Sequence, residues 1–305
     1  RNIKLYQRKL TFYFSCMEKS PFSTTDLVLN NNGSVYHLNL KNEHIADTVL
    51  LVGDQNRVKQ ISRYFDAIEY HTENREFITE TGLYKGKRIT AISTGIGTDN
   101  VDIVMNELFA ATHISPETRC LNTESRKLKI IRIGTSGALQ PEITLGSFVV
   151  SEYGLGLDGL LHYYTVDFDK IETELSGAFS KQTDWPEKLA QPYFCGGSSN
   201  LHAKIAHDMQ TGITASGTGF YGPQGRNLTS KNTLDVQGKL ASFRYSSLKV
   251  NNFDMETSAL YGLGKVFGFE CLTVNVIIAN RATKDYIDEY HIAVNNLIKT
   301  VLERI

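Results

Sequence analysis

Lys129-Ile130-Ile131-Arg132-Ile133-Gly134-Thr135-Ser136-Gly137-Ala138 is the stretch on which the reading of this chain turns. Its first half is a β-branched apolar run, the pattern of a strand buried on both faces. Arg132 interrupts the run, and two glycines with hydroxyl residues between them end it. Glycine permits close backbone approach, and the N–H groups of such a turn form a nest for an anion. An arginine at the mouth of the nest adds a fork of donors matched to phosphate or carboxylate. The stretch alone is also compatible with a plain strand-to-loop transition carrying a snorkelling arginine.

Strands and helices alternate on either side of it. Upstream, Thr48-Val49-Leu50-Leu51-Val52 reads as a buried strand ended by Gly53-Asp54, and 56–65 as a helix with Val58, Ile61 and Phe65 on one face. Stretches 77–84 and 88–93 read as two strands joined through Lys85-Gly86-Lys87, a hairpin signal, and 100–111 as a helix. Downstream, 146–153, 213–216 and 271–278 read as strands, and 199–208, 255–267 and 286–305 as helices. This order predicts an α/β protein with a central sheet and flanking helices. No repeat, linker or low-complexity block divides the chain. One domain over 37–305 is therefore expected, behind a partly irregular extension over 1–36 that ends near the turn-forming Asn30-Asn31-Asn32-Gly33-Ser34. Within the extension, Arg1, Lys4, Arg8 and Lys9 precede a short apolar run with no clean small-residue cleavage site. Residues 1–16 therefore read as an extension upstream of a start at Met17 rather than as a targeting leader.

Composition excludes several classes. With 41% hydrophobic residues, 305 positions suffice for a large core. A formal net charge of −1 supplies no global field for nucleic acid or an anionic membrane, so any anion site has to be local. Cys16, Cys120, Cys195 and Cys271 are scattered without a C-x-x-C pair, against a zinc site or a disulfide framework and for a reducing, cytoplasmic compartment. No apolar run approaches the ~18 residues of a membrane span. No G-x-G-x-x-G with its later acid, Walker A loop or G-x-S-x-G elbow is present, and His202 and His207 lack the glutamate of a zincin helix. Asn32-Gly33-Ser34 and Asn227-Leu228-Thr229 match a glycosylation sequon, which matters only for a secreted chain.

Ligands of α/β sheets bind beyond the carboxyl ends of the strands. Those ends carry Gly53 and Arg57, then Arg75-Glu76-Phe77, Ser93-Thr94-Gly95-Ile96-Gly97, and Arg132 with Thr135. Later ends offer Phe220 with Gln224 and Arg226, Asp254-Met255-Glu256, and Asn280-Arg281. Such a rim suits a ligand with phosphate, polyol and planar polar parts. Taken singly, each residue has a duller reading. Arg57 would be surface charge, Arg75 an edge-strand guard, Phe220 core, Gln224 and Arg226 solvated loop, and Glu256 a helix residue paired with a lysine. His37 would merely hydrogen-bond.

Taken together, they resemble the nucleoside phosphorylase family, and within it the uridine phosphorylases. The matching pieces run in the family's order. They are His37-Leu38-Asn39-Leu40, Gly53-Asp54-Gln55-Asn56-Arg57-Val58, Arg75-Glu76-Phe77, Ser93-Thr94-Gly95-Ile96-Gly97 and Arg132-Ile133-Gly134-Thr135-Ser136-Gly137-Ala138. Leu157-Asp158-Gly159, Phe220-Tyr221-Gly222-Pro223-Gln224-Gly225-Arg226, Asp254-Met255-Glu256-Thr257-Ser258-Ala259 and Asn280-Arg281 complete them, so that the resemblance covers about residue 36 to the end.

The resemblance implies a single-domain three-layer α/β/α sandwich around a twisted mixed sheet, in a dimer or a hexamer of dimers. It implies phosphorolysis of uridine to uracil and ribose 1-phosphate, with inorganic phosphate as co-substrate and no cofactor. The phosphate site would be Gly53, Arg57, Arg132 and Thr135, with Arg75 from a neighbouring subunit. The ribose would be held by Met255 and Glu256, with His37 from the neighbour. The base would meet Phe220, Gln224, Arg226 and Arg281. Arg132, Arg226 and Glu256 would carry the catalysis. Purine enzymes of the family look for an aspartate in the late loop where Asn280-Arg281-Ala282 stands, which favours uracil; purine or broader nucleoside phosphorolysis is the alternative, and a non-catalytic nucleoside-binding protein a lower one. Gln55 and Asn56 replace the family's proline and aspartate, and Asp254 is one methylene shorter than its glutamate. A monovalent cation beside Glu76, found in some bacterial members, is doubtful because Asn100 replaces a serine ligand. The polar stretch 115–126 reads as an insertion.

Overall fold

The computed structural model describes residues 20–229, 231 and 234–305. The expectations about residues 1–16 lie outside this range. In chain order the elements are β1 (Thr48–Val52), α1 (Gln55–Ser62), β2 (Ala67–Asn74), β3 (Phe77–Tyr84), β4 (Lys87–Ser93), α2 (Thr98–His113), β5 (Lys129–Ala138) and β6 (Phe148–Gly156). There follow α3 (Lys170–Thr183), β7 (Tyr193–Gly196), α4 (Ser199–Ile205), β8 (Gln210–Ser216), α5 (Val236–Ser242), β9 (Arg244–Tyr245) and β10 (Leu248–Asp254). The last are α6 (Thr257–Phe267), β11 (Glu270–Asn280), β12 (Asp285–Tyr286) and α7 (Tyr290–Arg304).

One mixed sheet runs through the molecule, with β1 parallel to β4 and β5 at its centre. Apolar alternation decides which helices cover which face. Val49, Leu51 and Ile130 pack with Val101 and Leu108 of α2 and Leu260 and Leu263 of α6. Leu50, Val52, Ile131 and Ile133 pack with Val58 and Ile61 of α1, Leu201 of α4 and Leu297 and Ile298 of α7. A third cluster gathers Leu175 and Phe179 of α3 with Leu240 of α5 and Phe194 of β7. These are the expected helix, sheet and helix layers. Val35, Leu38, Leu40 and Ile45 belong to the first cluster, so the chain is already packed on the core ahead of β1.

One feature goes beyond a flat layer. β5 pairs with both β10 and β11, β10 with β8, β8 with β6, and β6 with β11, so five strands close on themselves. A relay of buried polar side chains ties this ring together. Asn252 Nδ2 donates to Ser136 Oγ at 2.8 Å, Thr214 Oγ1 donates to Asn252 Oδ1 at 2.8 Å, and the Ser151 and Thr214 hydroxyls are bonded to each other.

Several expectations are corrected. Gly134 and Gly137 do not end a strand in a nest: β5 runs on to Ala138, paired along its length with β11 through one register shift between Ile277 and Ala279. Gly134 is there for room, since a Cβ would stand 2.1 Å from both Arg132 Nη1 and Asn275 Oδ1. The helix expected from 255 starts at Thr257, and the one expected from 286 starts at Tyr290, with Tyr286 in β12 instead.

Candidate active site

A cavity of about 830 Å³ opens beyond the carboxyl ends of β1, β5, β10 and β11, where a sheet of this type presents its ligand site. Gly53, Arg57, Arg132, Thr135, Phe220, Gln224, Arg226, Met255, Glu256 and Arg281 all line it. Each had been picked out in the sequence by its place at a strand end. The fold brings together residues far apart in the chain, as for Arg132 and Glu256, 124 positions apart.

Its floor is buried and charged. Arg132 is 4% exposed and Glu256 5%. Arg132 Nη2 donates to Glu256 Oε2, and Nη1 donates to Asn275 Oδ1 at 3.2 Å and Asp254 Oδ2 at 3.4 Å. The other Glu256 oxygen accepts from Gly97 N, just ahead of α2, at 3.0 Å. Burial raises the Glu256 carboxyl above its usual range; Arg132 opposes the rise and Asp254 adds to it. Arg57 is not the surface charge of the duller reading. It lies in the first turn of α1, 8% exposed, with Nη1 on Ile133 O at 3.3 Å. Burial, and then the neighbouring Arg132, pull its pKa down. Two cations so placed gain from a bound anion.

Asp254 shows why the shorter acid is tolerated. Its carboxylate sits at the start of α6, accepting from Ser216 Oγ at 2.7 Å, Glu256 N at 3.2 Å, Thr257 N at 3.3 Å and the Thr257 hydroxyl. The helix N-terminus favours that negative charge. Glu256 therefore precedes the helix and pairs with an arginine, not a lysine.

The rim is open and aromatic. Phe220 is 51% exposed rather than core, and the Arg226 guanidinium carbon lies 3.6 Å from its ring centroid. Arg226 Nη1 donates to Gln224 Oε1 and Phe220 O. Gln224 is buried, not solvated, with Nε2 on Asp254 O at 3.4 Å. Burial, then Arg281, lower the Arg226 pKa to about 10, and burial lowers that of Arg281. The sequence reading passed over Tyr286, which β12 sets beside Ala279 at the cavity lip, and Asn275, a lone amide between Val274 and Val276.

A signature of the phosphorylase superfamily matches residues 47–305, spanning the whole sheet and every strand end around this cavity. The chain belongs to that superfamily. It is 30% identical to a uridine phosphorylase of Thermococcus kodakarensis over 87% of this chain and 84% of that one. It is 26% identical to a DeoD-type purine nucleoside phosphorylase of Brevibacillus brevis, over 88% and 97%. The solved Trypanosoma brucei nucleoside phosphorylase, described as showing uridine phosphorylase activity, superposes with a TM-score of 0.83 at 28% identity, covering 92% of this chain and 99% of that one.

Two of the residues that match phosphorylase motifs stand apart from the cavity of their own chain. His37 Nδ1 is 2.7 Å from Glu107 Oε1, and its ring meets Tyr36 edge-on at 4.9 Å. Arg75 sits in the β2–β3 turn with φ 54°, a costly conformation for arginine, 6.0 Å from the Tyr36 ring. Gln55 Nε2 holds its carbonyl at 2.8 Å. The two thus flank Tyr36, with His37 half-buried and Arg75 exposed. Beside Gly95, Asn100 Nδ2 and Glu76 Cγ lie 2.5 and 3.2 Å from where a Cβ would be. Among the described residues no helix is long and apolar enough to cross a membrane.

Proposed function

We propose that this chain is a nucleoside phosphorylase that cleaves uridine with inorganic phosphate to give uracil and ribose 1-phosphate. The observation that carries the reading is the cavity floor, where two buried arginines, Arg57 and Arg132, stand beside two buried acids, Asp254 and Glu256. A phosphate dianion takes the arginines, with Gly53 and Thr135 supporting it. The ribose hydroxyls take Glu256, beside Met255. Held beneath the ring, a phosphate oxygen attacks C1′ as the bond to the base nitrogen breaks. The arginine-bound dianion offsets the oxocarbenium charge, and proximity removes the entropic cost of the encounter. The proton given up by the phosphate balances the one taken by the departing uracil nitrogen. No protein nucleophile and no cofactor enter.

At the rim the base lies against Phe220. Gln224 and Arg226 meet its O2 and N3 edge, and Arg281 lies near O4, where negative charge grows in the transition state. Asn280 supports a pyrimidine. Its Nδ2 donates to Gln140 O and Ile143 O at 3.0 and 2.8 Å, and its Oδ1 accepts from Ala282 N and Thr283 N, so it is spent on the backbone. No acid is offered to a purine there. The Brevibacillus relative favours purine phosphorolysis as the second reading.

The working unit in this reading is a homodimer, alone or within a hexamer, because His37 and Arg75 reach a second copy's cavity rather than their own. A reducing, cytoplasmic setting suits the free and buried thiols of Cys195 and Cys271.

The test is product release from uridine and from inosine, each with and without phosphate. Phosphate-dependent uracil release with inosine untouched is expected. Hypoxanthine release overturns the base reading, and cleavage without phosphate overturns the role of the arginines.

A further inference from the structure

We propose that Asn275 is a positioning residue for Arg132, acting through the gap that Gly134 leaves in β5. The inference rests on Arg132 being a phosphate-holding group.

Arg132, Gly134 and Asn275 share one face of the sheet, since Leu272, Val274 and Val276 pack with Ile131 and Ile133 on the other. Register sets Asn275 directly against Gly134, one pleat beyond Arg132. A side chain at 134 would stand between them, but glycine lets the guanidinium fold back along its own strand until Nη1 meets Asn275 Oδ1 at 3.2 Å. Asn275 is 0% exposed, and its Nδ2 has no partner among the described residues. A buried amide left half unsatisfied is costly, and nothing in the packing of β11 calls for one between two valines. The contact that Asn275 does make is with the arginine.

The chemistry explains an amide rather than an acid. Nη1 has one other acceptor, Asp254 Oδ2 at 3.4 Å, and Nη2 is taken by Glu256. Two acids already face the two floor arginines, so a third carboxylate would tip the floor towards negative charge, against a phosphate. The neutral Asn275 oxygen holds Nη1 without adding to the negative charge of the two acids that the guanidinium already meets.

The experiment is phosphate titration by calorimetry, with steady-state kinetics and thermal melts, on the wild type, Asn275→Ala and Asn275→Asp. Asn275→Ala is expected to weaken phosphate binding about tenfold, the effect of one hydrogen bond to a charged group. Its phosphate KM should rise while kcat at saturating phosphate and the uridine KM change less. Asn275→Asp should weaken phosphate further. It keeps the native volume and gives Arg132 an ion-pair partner, so it reports even if the alanine chain fails to fold. Unchanged phosphate affinity in the folded variants, with only a lowered Tm, overturns the positioning role. A wild type that binds no phosphate overturns the underlying reading, and this one with it.

Discussion

The cavity holds two pairs of arginines, and they are kept in opposite ways. Arg57 and Arg132 are on the floor, nine-tenths or more buried, with Arg132 fixed by two carboxylates and an amide. Arg226 and Arg281 are at the rim, half-buried, with Arg226 over the Phe220 ring and bonded to Gln224 Oε1 and Phe220 O. The floor pair is supplied with counter-charge that a ligand has to replace. At the rim the Arg226 guanidinium lies over the Phe220 ring, beside the place that a planar, only transiently charged base takes in the proposed reading. The contrast is what a dianion and a leaving pyrimidine would each require.

The largest expected effect tests the floor. Arg132→Ala should lower kcat/KM for uridine phosphorolysis by about 10²-fold or more, as loss of a preorganised charge partner does; near-normal turnover erases the distinction between the pairs. Protonation of Glu256 should come next. Its carboxyl titrates above the ordinary 4.5, so activity should fall on acidification while other carboxylates are still ionised, and Glu256→Gln should remove that limb. The sign for stability is the reverse. The folded chain holds this proton more tightly than the unfolded one, so between 4.5 and the raised value the group costs stability as pH rises.

At the rim the effects should be smaller and separable. Arg226→Lys keeps the charge but loses the planar fork, and should raise the uridine KM about tenfold with the phosphate KM unchanged. A matching rise in both would show that the two pairs act as one. The smallest effect is expected at Thr257, which touches the site only through Asp254. Thr257→Ala should cost about 1 kcal/mol in a denaturant melt and leave turnover within a small factor.

Legibility in the sequence followed burial. β1 and β5 are apolar runs and could be read directly. β2 could not, because Ala67-Ile68-Glu69-Tyr70-His71-Thr72-Glu73-Asn74 is a mostly exposed edge with little hydrophobic alternation. β10 was hidden for the opposite reason: Asn251 and Asn252 are buried, but in a closed ring that satisfies Asn252 through side chains of other strands. Ten of the residues that line the cavity were legible because they punctuate strand ends. Arg57 and Gln224 looked like solvent-facing residues until tertiary packing buried them. Asn275 carried only a faint signal, a polar residue inside an apolar strand, since what it touches was set by register and not by its neighbours in the chain.

The long-range pairing of the floor also has a consequence for synthesis. Arg132 precedes Glu256 by 124 positions and Asn275 by 143. At ordinary translation speeds the arginine is added to the chain roughly 7 to 30 s before the last of these partners exists. For that interval β5 lacks β10 and β11, and a cation destined for the interior has nothing to neutralise it. Nascent chains halted before residue 254 should therefore keep this strand in contact with solvent or a chaperone, and a working floor should arise only once β11 has been made.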